Sequence, residues 1–272
     1  MILYPNAKIN IGLKILNKRP DGYHNISSIF YPVRLSDILE FLPSSTGKFT
    51  FTQTGITIPG DSSDNLCVRV YEFFKETYRI PVLKIYLHKI IPTQAGLGGG
   101  SSDAAFLIKG INEYFNLDLS VAKMKEIALQ FGSDCPFFIE NKPAVASGKG
   151  EILHPFDLDL SAYHIIIVKP HIAISTAMAY DSIKPKENPI DSESLQKQSV
   201  GNWQSVVEND FESFTFSKFP ELKEIKENLL RYGALFSQMT GSGSAVYGIF
   251  KKRPEIPNHL FANCKVFSDF FN

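Results

Sequence analysis

The residues best suited to chemistry lie in one stretch, Pro92-Thr-Gln-Ala-Gly-Leu-Gly-Gly-Gly-Ser-Ser-Asp-Ala-Ala105. Four glycines occupy the five positions 96–100. An apolar, strand-like run (residues 85–91) precedes them, and Ala104, Ile108, Ile111 and Phe115 then recur on one helical face. Strand, glycine loop and helix start form a phosphate site. Glycines let the backbone approach a ligand, and unpaired N–H groups at a helix N-terminus favour an anion. Ser101 and Ser102 place hydroxyls where a phosphate oxygen or a metal ion could sit. The competing reading is a plain tight loop. The nucleotide P-loop pattern is absent, since no lysine lies within the loop, and Ser101 stands where the third glycine of a dinucleotide fingerprint belongs.

Other residues join this loop as candidates. In the stretch 7–16, Ile9, Ile11, Leu13 and Ile15 alternate with Lys8, Asn10, Gly12 and Lys14. This period of two predicts a strand with one buried face, so Lys8 and Asn10 project together from the other face, a solvated one in the bland reading. Asn17-Lys-Arg-Pro-Asp-Gly22 is a turn, and it presents Tyr23 and His24 directly after it. Asp134 falls between an expected helix stop at Gly132 and Cys135-Pro-Phe-Phe138, read as the start of an apolar strand. A carboxylate there is an Asx-turn former, or it is paired with a cation, or its pKa is raised.

The elements that must position these groups are partly legible. Runs 38–42 and 49–57 read as a hairpin around Ser-Ser-Thr-Gly, and 56–64 reads as a loop punctuated by Pro59-Gly60. Asp64 or Asn65 caps a helix over 66–78, a strand over 82–91 leads into the glycine loop, and Ser120 caps a helix over 121–131. Residues 144–153 read as a glycine hairpin, 163–168 as a buried strand and 174–180 as the start of a short helix. The polar segment 184–200 reads as a mobile surface stretch, 221–232 as a helix ended by Gly233, and 237–250 as two strands around Thr240-Gly-Ser-Gly-Ser244. The last twenty residues read as a helix and an edge strand. The fold class reads as α/β, with a domain boundary after residue 155.

Composition excludes several classes. Lys+Arg and Asp+Glu both number 28, so no bulk charge attracts nucleic acid or an acidic membrane. Three scattered cysteines imply a reducing compartment without a disulfide framework, and no zinc-type Cys/His spacing occurs. No signal-peptide layout and no membrane-length apolar run is present, so a cytoplasmic protein is expected.

Taken together, Pro5-Asn-Ala-Lys-Ile-Asn10, Arg19-Pro-Asp-Gly-Tyr-His24, the loop at 96–105, Gly132-Ser-Asp-Cys-Pro-Phe-Phe138 and Thr240-Gly-Ser-Gly-Ser244 resemble the GHMP kinases. The likeness runs from Tyr4 to about Phe250 and is weakest over 181–235. It departs at Gln94-Ala95, where the family loop usually carries another glycine. The resemblance implies a nucleotide-binding and catalytic domain over 1–155 and an α+β sandwich over 156–272. With them it implies ATP and Mg²⁺, and a small-molecule acceptor, here a cytidylyl sugar-alcohol diphosphate of non-mevalonate isoprenoid synthesis. It implies Lys8 and Asp134 as the catalytic pair, Asp134 orienting or deprotonating the hydroxyl and Lys8 neutralising Asp134 and the transferred phosphoryl. Pro92, Thr93, Gln94, Ala95, Gly96, Leu97, Gly98, Gly99, Gly100, Ser101 and Ser102 would hold the ATP phosphates. Asn65 would contact the adenine side, with a plain helix cap as its alternative. Asn10, Tyr23, His24 and Tyr180 would take the second substrate, the aromatic rings against a cytosine base. A homoserine- or mevalonate-type kinase and a non-catalytic nucleotide sensor of the same fold are the alternatives.

Overall fold

In chain order the strands are β1 (Ile2–Leu3), β2 (Asn6–Lys18), β3 (His24–Ser36), β4 (Ile38–Pro43), β5 (Thr50–Gly55), β6 (Leu83–Lys89), β7 (Ala144–Ser147), β8 (Ile152–Pro155), β9 (His164–Pro170), β10 (Phe236–Met239), β11 (Val246–Phe250) and β12 (Cys264–Ser268). The helices are α1 (Leu66–Tyr78), α2 (Gly99–Tyr114), α3 (Val121–Leu129), α4 (Cys135–Glu140), α5 (Thr176–Asp181), α6 (Ser192–Gln196), α7 (Phe211–Lys218) and α8 (Pro220–Arg231). This is a computed structural model describing residues 1–58, 60–183 and 185–268. Pro59 of the punctuating pair, Lys184 of the polar segment and the end of the expected terminal edge strand lie outside the described residues. Contacts divide the chain into two units. The first holds Met1–Ala7, Arg34–Thr93 and Gly98–Lys142; the second holds Lys8–Val33, Gln94–Leu97 and Pro143–Asn272. The sequence reading had placed one cut, after residue 155.

In the first unit a sheet of order β1-β4-β6-β5 has α2 against it, where Tyr114 meets Phe41 of β4 edge-on. Its central strand, β6, turns Leu83, Ile85 and Leu87 inward in period two. Each such side chain, fully buried, stabilises by about 1.5–3 kcal/mol. The expected hairpin of β4 with β5 does not form. β4 pairs antiparallel with β6, and β5 pairs parallel with β6 on its other edge. The turn after β4 is real, with Gly47 N–H donating to Ser44 O at 3.5 Å, but it leads to the other edge of β6. Local periodicity gave both strands and could not give their partner. The expected strand after Asp134 is α4. A short apolar run is ambiguous between strand and helix, and Pro136 in the first turn lacks only an N–H that a helix start leaves unbonded anyway. α3 ends at Leu129, and its cap is Gln130 in right-handed geometry, so Gly132 is not its stop.

The second unit carries two sheets, β2-β3-β7-β8 and β10-β11-β9-β12, with α8 packed on β10 and β11. The glycine hairpin at β7–β8 and the β10–β11 pairing match the sequence reading. β2 was expected to expose one face. Instead it is buried continuously from Ala7 to Leu13, because protein covers both sides of it. The long β3 and α7 had no counterpart in the sequence reading. Segment 184–200 is not wholly a surface stretch: Leu195 on α6 and Val200 are buried, which ties it to the core.

Candidate active site

Lys8 and Asn10 are only 4% and 2% exposed. A buried ammonium must find acceptors. Lys8 Nζ donates to Asn10 Oδ1 at 2.6 Å and stands 4.5 Å from the centre of the Phe30 ring. Asn10 Nδ2 donates to Ser28 Oγ at 2.8 Å, and Ser28 Oγ to Gly12 O at 2.6 Å. The turn after β10 closes the same network. Thr240 Oγ1 accepts from Asn10 N–H at 3.0 Å and donates to Gly96 O at 3.0 Å. Lys8 N–H donates to Leu97 O at 3.0 Å. The middle of the glycine loop is thus tied to the Lys8 strand. Only glycine fits at 96, where φ is +73° and an added Cβ would lie 2.0 Å from Thr240 O. Gln94, two residues before Gly96, also takes left-handed geometry, with φ +49°.

Elsewhere in this unit, His24 stacks on Tyr180 with ring centres 5.1 Å apart and planes 22° from parallel. Tyr180 in turn meets the edge of Phe211 at 5.0 Å. Burial first, then the Lys18 ammonium, pushes the His24 imidazole below its ordinary 6.5, against the pull of Asp181. It is therefore neutral near neutral pH. Tyr23 is 58% exposed and carries the Lys149 ammonium 4.6 Å over its ring.

In the first unit α2 begins at Gly99, inside the glycine loop, with Gly98 as its N-cap at φ +70°. No side chain caps it. Its first intrahelical bond is Ser102 N–H to Gly98 O at 2.9 Å. The N–H groups just before Ser102 are those a helix start leaves for an anion. The Ser102 hydroxyl is buried without a hydrogen-bond partner among the described residues. The turn bearing Asp134 lies alongside: a Cβ on Gly132 would be 3.3 Å from Cys135 Sγ and 3.8 Å from Ser101 Oγ. Asp134 is the N-cap residue of α4. Asn65 caps α1, its Oδ1 accepting from Cys67 N–H at 2.9 Å, and neighbouring Leu66 approaches Gly100.

Within the units, then, Lys8 and Asn10 meet the glycine loop, His24 meets Tyr180, and the Asp134 turn meets Ser101. Tyr23 contacts Lys149, a residue sequence reasoning missed, as it missed Ser28 and the role of Thr240. It also missed Lys89. One signal was available: Lys89 continues the inward register of Leu83, Ile85 and Leu87, and an inward lysine calls for carboxylates.

Residues 65–142 match the family described as GHMP kinases N terminal domain, and residues 191–269 match GHMP kinases C terminal. The chain belongs to the GHMP kinases, and use of ATP as phosphoryl donor comes with that class. A protein of Bacteroides fragilis named 4-diphosphocytidyl-2-C-methyl-D-erythritol kinase is 45% identical over 258 residues, 94% of each chain. A protein of Parabacteroides distasonis with the same name is 44% identical over 271 residues, 100% of this chain and 97% of its own. A crystal structure of 4-(cytidine 5'-diphospho)-2C-methyl-D-erythritol kinase matches with a TM-score of 0.82 at 29% identity, covering 98% of both chains. The mevalonate kinase of Methanococcus jannaschii shares the fold, with a TM-score of 0.72 at 14% identity over 98% of this chain and 97% of that one. Among the described residues no helix is long and apolar enough to cross a membrane.

Proposed function

We propose that this chain transfers the γ-phosphoryl group of ATP to the 2-hydroxyl of 4-diphosphocytidyl-2-C-methyl-D-erythritol, in the non-mevalonate route to isoprenoid precursors. The observation that carries phosphoryl transfer is the uncapped start of α2, where a glycine loop offers backbone N–H groups to an anion. The choice of acceptor is supported by the name the close relatives bear and by the stacked pair His24–Tyr180. A cytoplasmic location, where ATP is at hand, belongs to this reading.

Phosphoryl transfer asks for positioning and charge neutralisation more than covalent chemistry. In this reading the loop from Pro92 to Ser102 holds the ATP phosphates, with Asn65 on the adenine side. Asp134 orients and deprotonates the acceptor hydroxyl, and Lys8 meets the charge on the transferred group. Asn10, whose Oδ1 accepts from the ammonium, aims Lys8. Tyr23, His24 and Tyr180 take the cytosine base. Neutral His24 can both donate and accept a hydrogen bond at the edge of the base. Mg²⁺ fits this set through the orphaned Ser102 hydroxyl, which would hold it beside ATP phosphates that supply further oxygens, since this ion takes few ligands from the protein itself. When bound it neutralises phosphate charge. No cluster of three His, Cys, Asp or Glu among the described residues offers another place for it.

The test is purified protein with ATP, Mg²⁺ and the cytidylyl substrate, followed by phosphorus NMR. A new monoester signal on the acceptor is the expected result. ATP turnover only with homoserine or mevalonate would overturn the choice of substrate.

A further inference from the structure

At the stems of the glycine loop lies a charged cluster that the mechanism above does not use. Lys89, at the end of β6, is 2% exposed, and its side chain is sealed from solvent. Its ammonium donates to Asp37 Oδ2 and, at 2.7 Å, to Asp103 Oδ2. Asp37 Oδ1 accepts from the N–H groups of Ile90 at 2.5 Å and Ile91 at 2.9 Å, where the chain leaves β6 for the loop. Asp103 lies in the opening turns of α2, where the loop ends. The two stems also touch directly: a Cβ on Gly99 would be 2.8 Å from Ile91 Cγ2 and 3.3 Å from Lys89 Nζ. One ammonium therefore ties the exit of the strand to the entry of the helix.

We propose that the Asp37–Lys89–Asp103 cluster is the positioning device of the nucleotide loop, holding its two stems at the spacing that ATP phosphates require. Stability alone gives little reason for such a cluster, because a buried ion pair is often no more stabilising than apolar residues of the same volume. Directional bonds to two loop stems are what apolar packing cannot supply. Two ionised carboxylates on one ammonium would leave net negative charge under an anion site. Burial first drives the Asp103 carboxyl well above its usual range, against the pull of Lys89 and with the help of Asp37, which relieves that conflict. Asp103 Oδ1 and Ser102 Oγ are both buried without hydrogen-bond partners among the described residues.

The inference rests on the phosphate-loop part of the proposed function and not on the acceptor. The test is calorimetric titration of Asp103→Leu and Lys89→Met with ATP and Mg²⁺, alongside steady-state kinetics. Asp103→Leu keeps about the shape of the side chain and removes its bond to the ammonium. The expected result is an ATP Kd raised by about ten- to a hundredfold in each folded variant, the cost typical of loosened site geometry. The KM for the cytidylyl substrate should stay near the wild-type value. Ile85→Val, which loosens the same strand without touching the cluster, should leave ATP affinity unchanged. An unchanged ATP Kd in folded Asp103→Leu overturns the proposal, as does an equal rise in the KM of both substrates. If Lys89→Met does not fold, Asp103→Leu decides alone. The titration contains no acceptor, so it decides the inference even if the acceptor is another alcohol.

Discussion

The Lys8 ammonium donates to Asn10 Oδ1 at 2.6 Å across two positions of one buried strand. Residues two apart on a strand share a face, so the strand itself makes the pair. Burial then gives it consequence, since Lys8 is held by neighbours that water does not reach. The reading of Lys8 as the cation at the transferred phosphoryl predicts that Lys8→Met keeps the KM for ATP and lowers kcat by about 10²–10³, the range for losing one preorganised charge donor. Asp134→Asn should lower kcat by about 10²–10⁴ with ATP binding intact. Steady-state kinetics with ATP titration check both, and near wild-type kcat in either variant removes that residue from the mechanism.

Tyr180 stacks on His24, so the pair forms a ready aromatic surface. Base–aromatic stacking is worth about 1–3 kcal/mol, roughly five- to 150-fold in affinity. Tyr180→Ala and Tyr23→Ala should each raise the KM for the cytidylyl substrate within that range and leave the KM for ATP unchanged. Equal effects on both substrates would reject the assignment.

His24 supplies a pH dependence with a defined sign. Its folded pKa lies below the ordinary 6.5. Between the two values the unfolded chain binds the proton and the folded chain does not. The contribution of the neutral ring is fully present above 6.5 and is lost as pH falls through the folded value. Thermal midpoints should decline across that acid window, with the KM for the cytidylyl substrate rising in step. His24→Gln, which cannot take up a proton, should flatten both trends; profiles identical to wild type would exclude His24 as their source.

Gly96 admits no side chain, because a Cβ would sit 2.0 Å from Thr240 O. Gly96→Ala must push the loop away from the turn at Thr240. Loss of ATP binding together with a lower melting temperature is expected, both measurable in one calorimeter. Retained ATP affinity would mean that the loop tolerates the shift.

Gln94 has the opposite character. It holds φ at +49° with an exposed side chain, where a non-glycine residue costs about 1–2 kcal/mol. Glycine would relieve that strain but raise unfolded-state entropy, which costs about 0.4–1 kcal/mol. Strain wins by a small margin, so Gln94→Gly should raise the melting temperature by about 2–4 °C, the shift expected per kcal/mol in a protein near this size. A lower melting temperature would show that the side chain contributes contacts that outweigh the strain.

Much of the fold and site was legible because the signals are local. The extent of α1 and its Asn65 cap, the turn before Tyr23-His24, the β7–β8 hairpin and the helix start in the glycine loop depend on residues close in sequence. Capping groups, glycines with positive φ and hydrophobic period act over a few residues. The failures share one physical cause. β4 and β5 were recognisable as strands, but β6, far along the chain, took the place between them. α4 read as a strand because a short apolar run satisfies either period.

The sequence by itself determined the class of chemistry, through a glycine loop leading from a strand into a helix and through the family motifs that carry Lys8, Asp134, Tyr23 and His24. Only the tertiary structure decided how several of these groups are held. It buried both faces of β2, closed Thr240 onto Asn10 and Gly96, stacked His24 on Tyr180, and gave Lys89 its carboxylates from Asp37 and Asp103. Those partners come from distant parts of the chain. Which segments meet is decided by how the whole core buries its apolar surface, and no local pattern carries that information.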